Sequence, residues 1–242
     1  MLQIFRKEIN SFFNSLVAYM VLITFLVLVG LLVWVFPQSS ILNGKYANLD
    51  PLFMIAPYVF MFLIPAITMR TFAEEKKAGT MELLLTRPLS DASIVWGKLL
   101  SSWSLALFAL IPTIIYYFTV YELGTPKGNL DTAAVIGSYI GLIFLAGVYT
   151  AIGVFSSSLS DNQIVAFLLA VFFCFTLYDG FTSLAAINVW SDYAYIISQL
   201  GIDYHYSSIS RGLIDFRDVL YFISLLVGIA GLTQLVLASR KW

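Results

Sequence analysis

The chain has 242 residues, of which 60% are hydrophobic, 16% aromatic and only 11% charged, whereas an ordinary soluble domain is about 45–50% apolar and about 25% charged. That deficit excludes a water-soluble single core, and 13 Lys plus Arg against 14 Asp plus Glu, a formal net charge of -1, leaves no basic excess to hold a nucleic-acid backbone. What remains is an integral membrane protein, with too little polar surface to carry a large enzymatic domain as well.

The first element, MLQIFRKEINSFFNS, places Leu2, Phe5, Ile9, Phe12, Phe13 and Leu16 on one helical stripe with Arg6, Lys7, Glu8 and Asn10 off it. This pattern predicts a helix over 2–15 lying in the cytoplasmic interface; a first span that simply continues into the cytosol is compatible with it. About 20 apolar residues cross ~30 Å of hydrocarbon as a helix. Charge-free runs near that length occur at about 16–36, 52–69, 99–121, 133–155, 163–178 and 219–239. The fifth is short and is expected to start near Asp161 or Asn162, either of which can cap a helix. None of the 27 charged residues falls inside these limits. Arg6 and Lys7 precede the first run as in a signal peptide, but the run is too long and no small-x-small site follows Phe36, so it reads as a retained anchor.

Counting Lys and Arg in alternate connections gives nine on one side (Arg6, Lys7, Arg70, Lys76, Lys77, Arg87, Lys98, Arg240 and Lys241) and four on the other (Lys45, Lys127, Arg211 and Arg217). The positive-inside rule then puts both termini, residues 70–98 and residues 156–162 in the cytoplasm. Pro57, Pro65 and Pro112 fall inside predicted spans, where each removes a helix hydrogen bond. The sole cysteine, Cys174, sits in VFFCFTLY and reads as a small hydrophobic residue. The chain shows no repeat or linker that would divide it and is expected to form a single domain over 1–242.

The connection from Arg70 to Leu100, RTFAEEKKAGTMELLLTRPLSDASIVWGKLL, is longer than the usual 2–8 residues between bundled helices. Glu74, Glu75, Lys76 and Lys77 form a charged turn leaving the second span, and Gly79 breaks or redirects the helix. Thr80 to Arg87 predicts a short amphipathic helix carrying Met81, Leu83, Leu84 and Leu85, stopped by Pro88. Ser90 or Asp91 can cap the next helix, which runs through Ile94, Trp96 and Lys98 into the third span. A short helix held between two turns either fits a groove on a partner and passes motion to the spans beside it, or only covers their ends.

Glu74-Glu75, Gly79-Thr80, Glu82-Leu83-Leu84, Pro88-Leu89-Ser90, Ile94 and Gly97-Lys98 resemble the pattern of ABC-2 type exporter permeases. The resemblance implies that this stretch is the coupling region that docks into a separate ABC ATPase subunit. Its contacts would be Arg70, Glu74, Glu75, Gly79, Thr80, Glu82, Leu83, Leu84, Leu85, Arg87, Pro88 and Lys98. A second contact would come from Ser158, Asp161 and Asn162 in the short loop SSSLSDNQ. The implied fold is an all-α integral membrane protein with six transmembrane helices, an N-terminal interfacial helix, a cytoplasmic coupling helix and an outer hairpin between the fifth and sixth spans. Two apolar pieces, 181–190 and 193–202, are each too short to cross a membrane and resemble that hairpin.

LGIDYHYSSISRGLIDFRDVLYF, from Leu200 to Phe222, with Arg240-Lys241-Trp242, is similar to permease subunits of gliding-motility ABC transporters, and also to permeases of copper-enzyme maturation systems. His205, the sole histidine, lies between two tyrosines. An interfacial aromatic belt accounts for them better than a metal site does. Asp203, Asp215 and Asp218 with Arg211 and Arg217 read as a solvated face. Gly97-Lys98 does not complete a nucleotide-binding loop, since Ala92 and Leu99 stand where a glycine and a hydroxyl residue are needed. No directly bound cofactor is expected; ATP and magnesium would be bound by the ATPase partner. The resemblance implies an exporter permease of a bacterial inner membrane, paired with a second permease chain or an accessory membrane protein. An ion-driven carrier, which needs charges at mid-membrane depth, and a scaffold that moves no substrate are the alternatives.

Overall fold

The computed structural model describes residues 1–44, 46–81, 90–187 and 193–239. Among them the regular structure is helical, and six helices are long and apolar enough to cross a membrane: Ala18–Val35, Asp50–Lys77, Asp91–Leu123, Thr132–Leu159, Gln163–Ala185 and Phe216–Ala238. The expected all-α membrane architecture is therefore present.

Helix α1 (Leu2–Phe13) precedes α2 (Leu16–Gly30), which ends in a π-helical turn over Leu31–Val35. The second span is α3 (Asp50–Thr68), then a turn, then α4 (Ala73–Lys77). The third is α5 (Asp91–Leu110), a 3₁₀ turn at Ile111–Thr113, and α6 (Ile114–Leu123). Pro112 sits in that turn, and between α6 and the next helix an apolar cleft of about 720 Å³ opens. The fourth span is α7 (Thr132–Leu159), and the fifth is α8 (Gln163–Phe175) with a π turn at Thr176–Gly180 and the short α9 (Phe181–Ala185). Two more short helices, α10 (Ala194–Ser198) and α11 (Ile202–Ile209), lead to the sixth span, α12 (Phe216–Ala238).

The fourth span is the hub, packing on α3, α5, α8, α11 and α12. Small residues permit this, as lipid supplies no hydrophobic force to press helices together and close approach maximises van der Waals contact. A Cβ added at Gly153 would lie 2.0 Å from Thr68 Oγ1 of α3, and one at Gly137 would lie 2.8 Å from the Gly212 Cα. The core around Phe25, Phe60, Leu142, Leu145 and Tyr149 is completely or nearly completely buried, and Cys174 lies in it.

Proline in the second span has a specific compensation. Pro57 has no N–H to give to the Phe53 carbonyl, four residues back, and the Tyr206 hydroxyl donates to that oxygen at 2.8 Å. The orphaned acceptor thereby fastens α11 to α3, an arrangement that makes a helix break tolerable within a membrane.

Candidate functional site at the end bearing the termini

With an even number of spans, α1, the 70–98 connection and the α7–α8 loop share one end of the bundle. The second span breaks at Met69–Phe72, and Ser157 of α7 repairs the break. Its Oγ donates to the Met69 carbonyl at 3.0 Å and accepts from the amides of Phe72 and Ala73 at 3.0 and 3.1 Å. Buried amides without partners are costly, so this hydroxyl fixes where α4 leaves the bundle. Lys76 donates to the Ser158 carbonyl, a second tie between α4 and the α7 terminus. Helix α4 then stops at Gly79, whose φ of +67° is left-handed, and the amides of Gly79 and Thr80 close on the carbonyls of Lys76 and Glu75. Such a glycine-terminated end follows from the absence of a Cβ. Met81 is buried with Phe72, Ile94, Val95 and Ile4 in a second apolar cluster beneath this end.

Residues 82–89, which include Glu82, Leu83, Leu84, Leu85, Arg87 and Pro88, lie outside the described residues. On their far side Ser90 caps α5, its Oγ accepting from the Ser93 amide at 3.3 Å. Of the two expected cap residues it is therefore Ser90 that serves, with Asp91 following in the first turn.

Gly97 and Lys98 act together on α1. Ile4 of α1 lies against Gly97, where an added Cβ would meet its side chain at 3.0 Å. Lys98 is only 1% exposed. Its Nζ lies 3.0 Å from Glu8 Oε1 of α1 and 3.0 Å from Glu75 Oε2 of α4, donates to the Thr71 carbonyl and stands 5.0 Å from the centre of the Phe72 ring. Lys7 closes the cluster, 2.8 Å from Glu75 and 3.5 Å from Glu8. Two cations and two anions therefore tie the N-terminal helix to the ends of the second and third spans. Partial burial works against the Lys7 ammonium, but the hydrogen bond to Glu75 and the charges of Glu75 and Glu8 outweigh it and hold its pKa above the usual lysine value.

Beside this cluster a cleft of about 430 Å³ is bounded by α1, Arg70, Glu74, Glu75 and α5. Arg70 Nη1 donates to Ser15 Oγ at 3.2 Å, and its Nε is buried without a hydrogen-bond partner among the described residues. Glu74, Gly79 and Thr80 are exposed, as are Asp161 and Asn162; Ser158 is buried. Asn162 caps α8, accepting from the Ile164 amide at 2.9 Å. Of the expected contact residues, the structure thus joins Glu75 to Lys98, while Lys76, outside that set, reaches Ser158. Lys98 is turned inward, because Glu8 and Glu75 offer its charge more than bulk water does at that depth.

The opposite end departs from the sequence reading. Helix α12 begins at Phe216, capped by Asp215, whose Oδ1 accepts from the Arg217 amide at 3.0 Å. Asp218 thereby falls on the first helical turn, faces α11 and is 5% exposed, so it does not belong to a solvated face. Its Oδ1 lies 2.7 Å from His205 Nδ1, while His205 Nε2 lies 2.9 Å from the Gln199 carbonyl and the ring stacks on Tyr221 at 3.8 Å. Asp215 at the cap position, three residues before Asp218, is the sequence signal that would have moved the helix start. On α11, burial and the charge of Asp179 hold Asp203 above the ordinary aspartate value, against the hydrogen bond from Tyr178.

Six helices long and apolar enough to cross a membrane, with a polar, ion-paired platform at one end, are the form of a multi-pass membrane protein. The model of a family described as ABC-2 family transporter protein matches residues 37–199, two thirds of the chain, and the chain belongs to that family. Membership implies a partner subunit that carries the ATPase activity. A search of curated proteins finds no match.

Proposed function

We propose that the chain is the permease subunit of an ATP-driven exporter of the gliding-motility kind, working in a bacterial inner membrane with its termini in the cytoplasm. Two such chains, or one with an accessory membrane protein, would form the pathway. A separate ATPase would dock on residues 70–98, with 156–162 as a second contact. The observation that carries this reading is the Lys7–Glu8–Glu75–Lys98 cluster. It ties α1, α4 and α5 into one body, so a push on the segment between Gly79 and Ser90 reaches the second and third spans together. Glu74, Thr80 and Asp161 present exposed polar groups at the same end, as a docking surface requires.

Replacing Glu82 with Lys and Leu84 with Ser, then measuring co-purification of the ATPase from membranes, tests the assignment. The doubly substituted chain is expected to reach the membrane at normal levels and to lose the ATPase. Retention of the ATPase at wild-type stoichiometry contradicts the docking role.

A further inference from the structure

At the end remote from the termini, a cavity of about 480 Å³ lies between α10, α11 and the start of α12. Its size is within the ~300–1,000 Å³ usual for ligand sites. Arg211 and Arg217 line it and are exposed. Neither guanidinium makes an ion pair or hydrogen bond among the described residues. Its lining also includes Tyr204, Ser208 and the His205–Asp218 pair.

The charge of the cavity can be counted. Both His205 nitrogens face oxygens, so the pair keeps its geometry only with two protons, held as imidazolium and carboxylate or as imidazole and carboxylic acid; it is neutral either way. Arg211 and Arg217 against Asp215 leave one net positive charge, and the Asp215 carboxylate is already turned to the Arg217 amide. The site therefore favours an anion, and guanidinium forks match the oxygens of a phosphate better than a point charge does.

Its surroundings say which phosphate. Leu213, Ile214 and Phe216 lie between the two arginines in sequence and are exposed, Phe216 to 76%. Three bare apolar side chains at the mouth of a membrane-crossing helix belong in the acyl region, which places the flanking arginines at headgroup depth. We propose that this cavity binds the phosphodiester of a membrane phospholipid, in the leaflet remote from the termini, with Arg211 and Arg217 as its ligands. The site does not depend on the transport reading above.

The test is native mass spectrometry of the detergent-purified complex, delipidated and then titrated with phosphatidylglycerol. The wild type is expected to retain one phospholipid per chain at this site, and Arg211→Gln with Arg217→Gln to weaken that binding by about tenfold or more, as loss of charge-assisted contacts requires. Lys127→Gln, at the same end but paired with Glu122, is expected to leave retention unchanged. Unchanged retention in the arginine variant, or equal loss in the Lys127 variant, overturns the proposal. Titration with glycerol phosphate and with inorganic phosphate forms the second arm. Either one displacing the lipid at comparable concentration would show that the cavity takes a free phosphate and overturns the lipid assignment.

Discussion

Replacing Lys98 with Met keeps the aliphatic stem beside Phe72 and removes only the ammonium. In the wild type, Lys7 and Lys98 balance Glu8 and Glu75, and without Lys98 the cluster carries a net charge of -1. Breaking a fully buried ion pair costs about 3–5 kcal/mol. Here Lys7 still lies 2.8 Å from Glu75 and 3.5 Å from Glu8, so the cost falls to the bottom of that range or just below it, about 2–3 kcal/mol. For a chain of this size that corresponds to a fall in Tm of about 4–12 °C, readable by thermal unfolding of the purified protein. Glu75→Gln added to Lys98→Met leaves Lys7 opposite Glu8 and a neutral cluster. The double substitution is thus expected to cost less than the sum of the two single ones, by about 1 kcal/mol or more. Strict additivity, or a Tm change below about 1 °C for Lys98→Met, would show that buried charge does not hold α1 in place.

Ser157→Ala removes the acceptor for two buried amides, Phe72 and Ala73, and is expected to cost about 1–3 kcal/mol; proteolysis within residues 69–81 should speed up in parallel. Gly153→Ala drives a methyl into Thr68 and should cost about 3 kcal/mol. Adding Thr68→Ala should recover part of the loss by removing Oγ1, but not all, because the Thr68 Cβ lies 2.8 Å from the new atom. Asp203 has a raised pKa in the folded protein, so folding favours its protonated form. That stabilisation is fully present below the unfolded value of about 3.9 and is lost as pH rises through the folded pKa. Asp203→Asn should flatten the stability profile upward from about pH 4; an unchanged slope in pH-dependent unfolding would contradict this.

The six spans are legible in the sequence because charge-free runs report hydrocarbon thickness directly. The helices themselves extend beyond those runs, to Lys77 in the second and back to Asp91 in the third, since hydropathy registers the bilayer and not the helical turns that project from it. Gly79 and Ser90 are readable as punctuation from their local chemistry alone. The inward turn of Lys98 is not, because its partner Glu8 stands 90 residues away and no local pattern carries that pairing. The same holds for Tyr206 and the Phe53 carbonyl, 153 residues apart. At the remote end, Asp218 reads as solvated only when the sixth span is started at the first charge-free residue, Val219, which lies inside a helix that begins at Phe216.

Coupling by this permease requires residues 82–87 to meet an ATPase. A photo-crosslinking residue placed at Leu84 in the intact membrane complex, with a control at Leu184 on α9, tests this most directly. An adduct with the ATPase is expected from position 84 and none from position 184. An ATPase adduct from 184, or from neither position while the complex remains assembled, would contradict that contact.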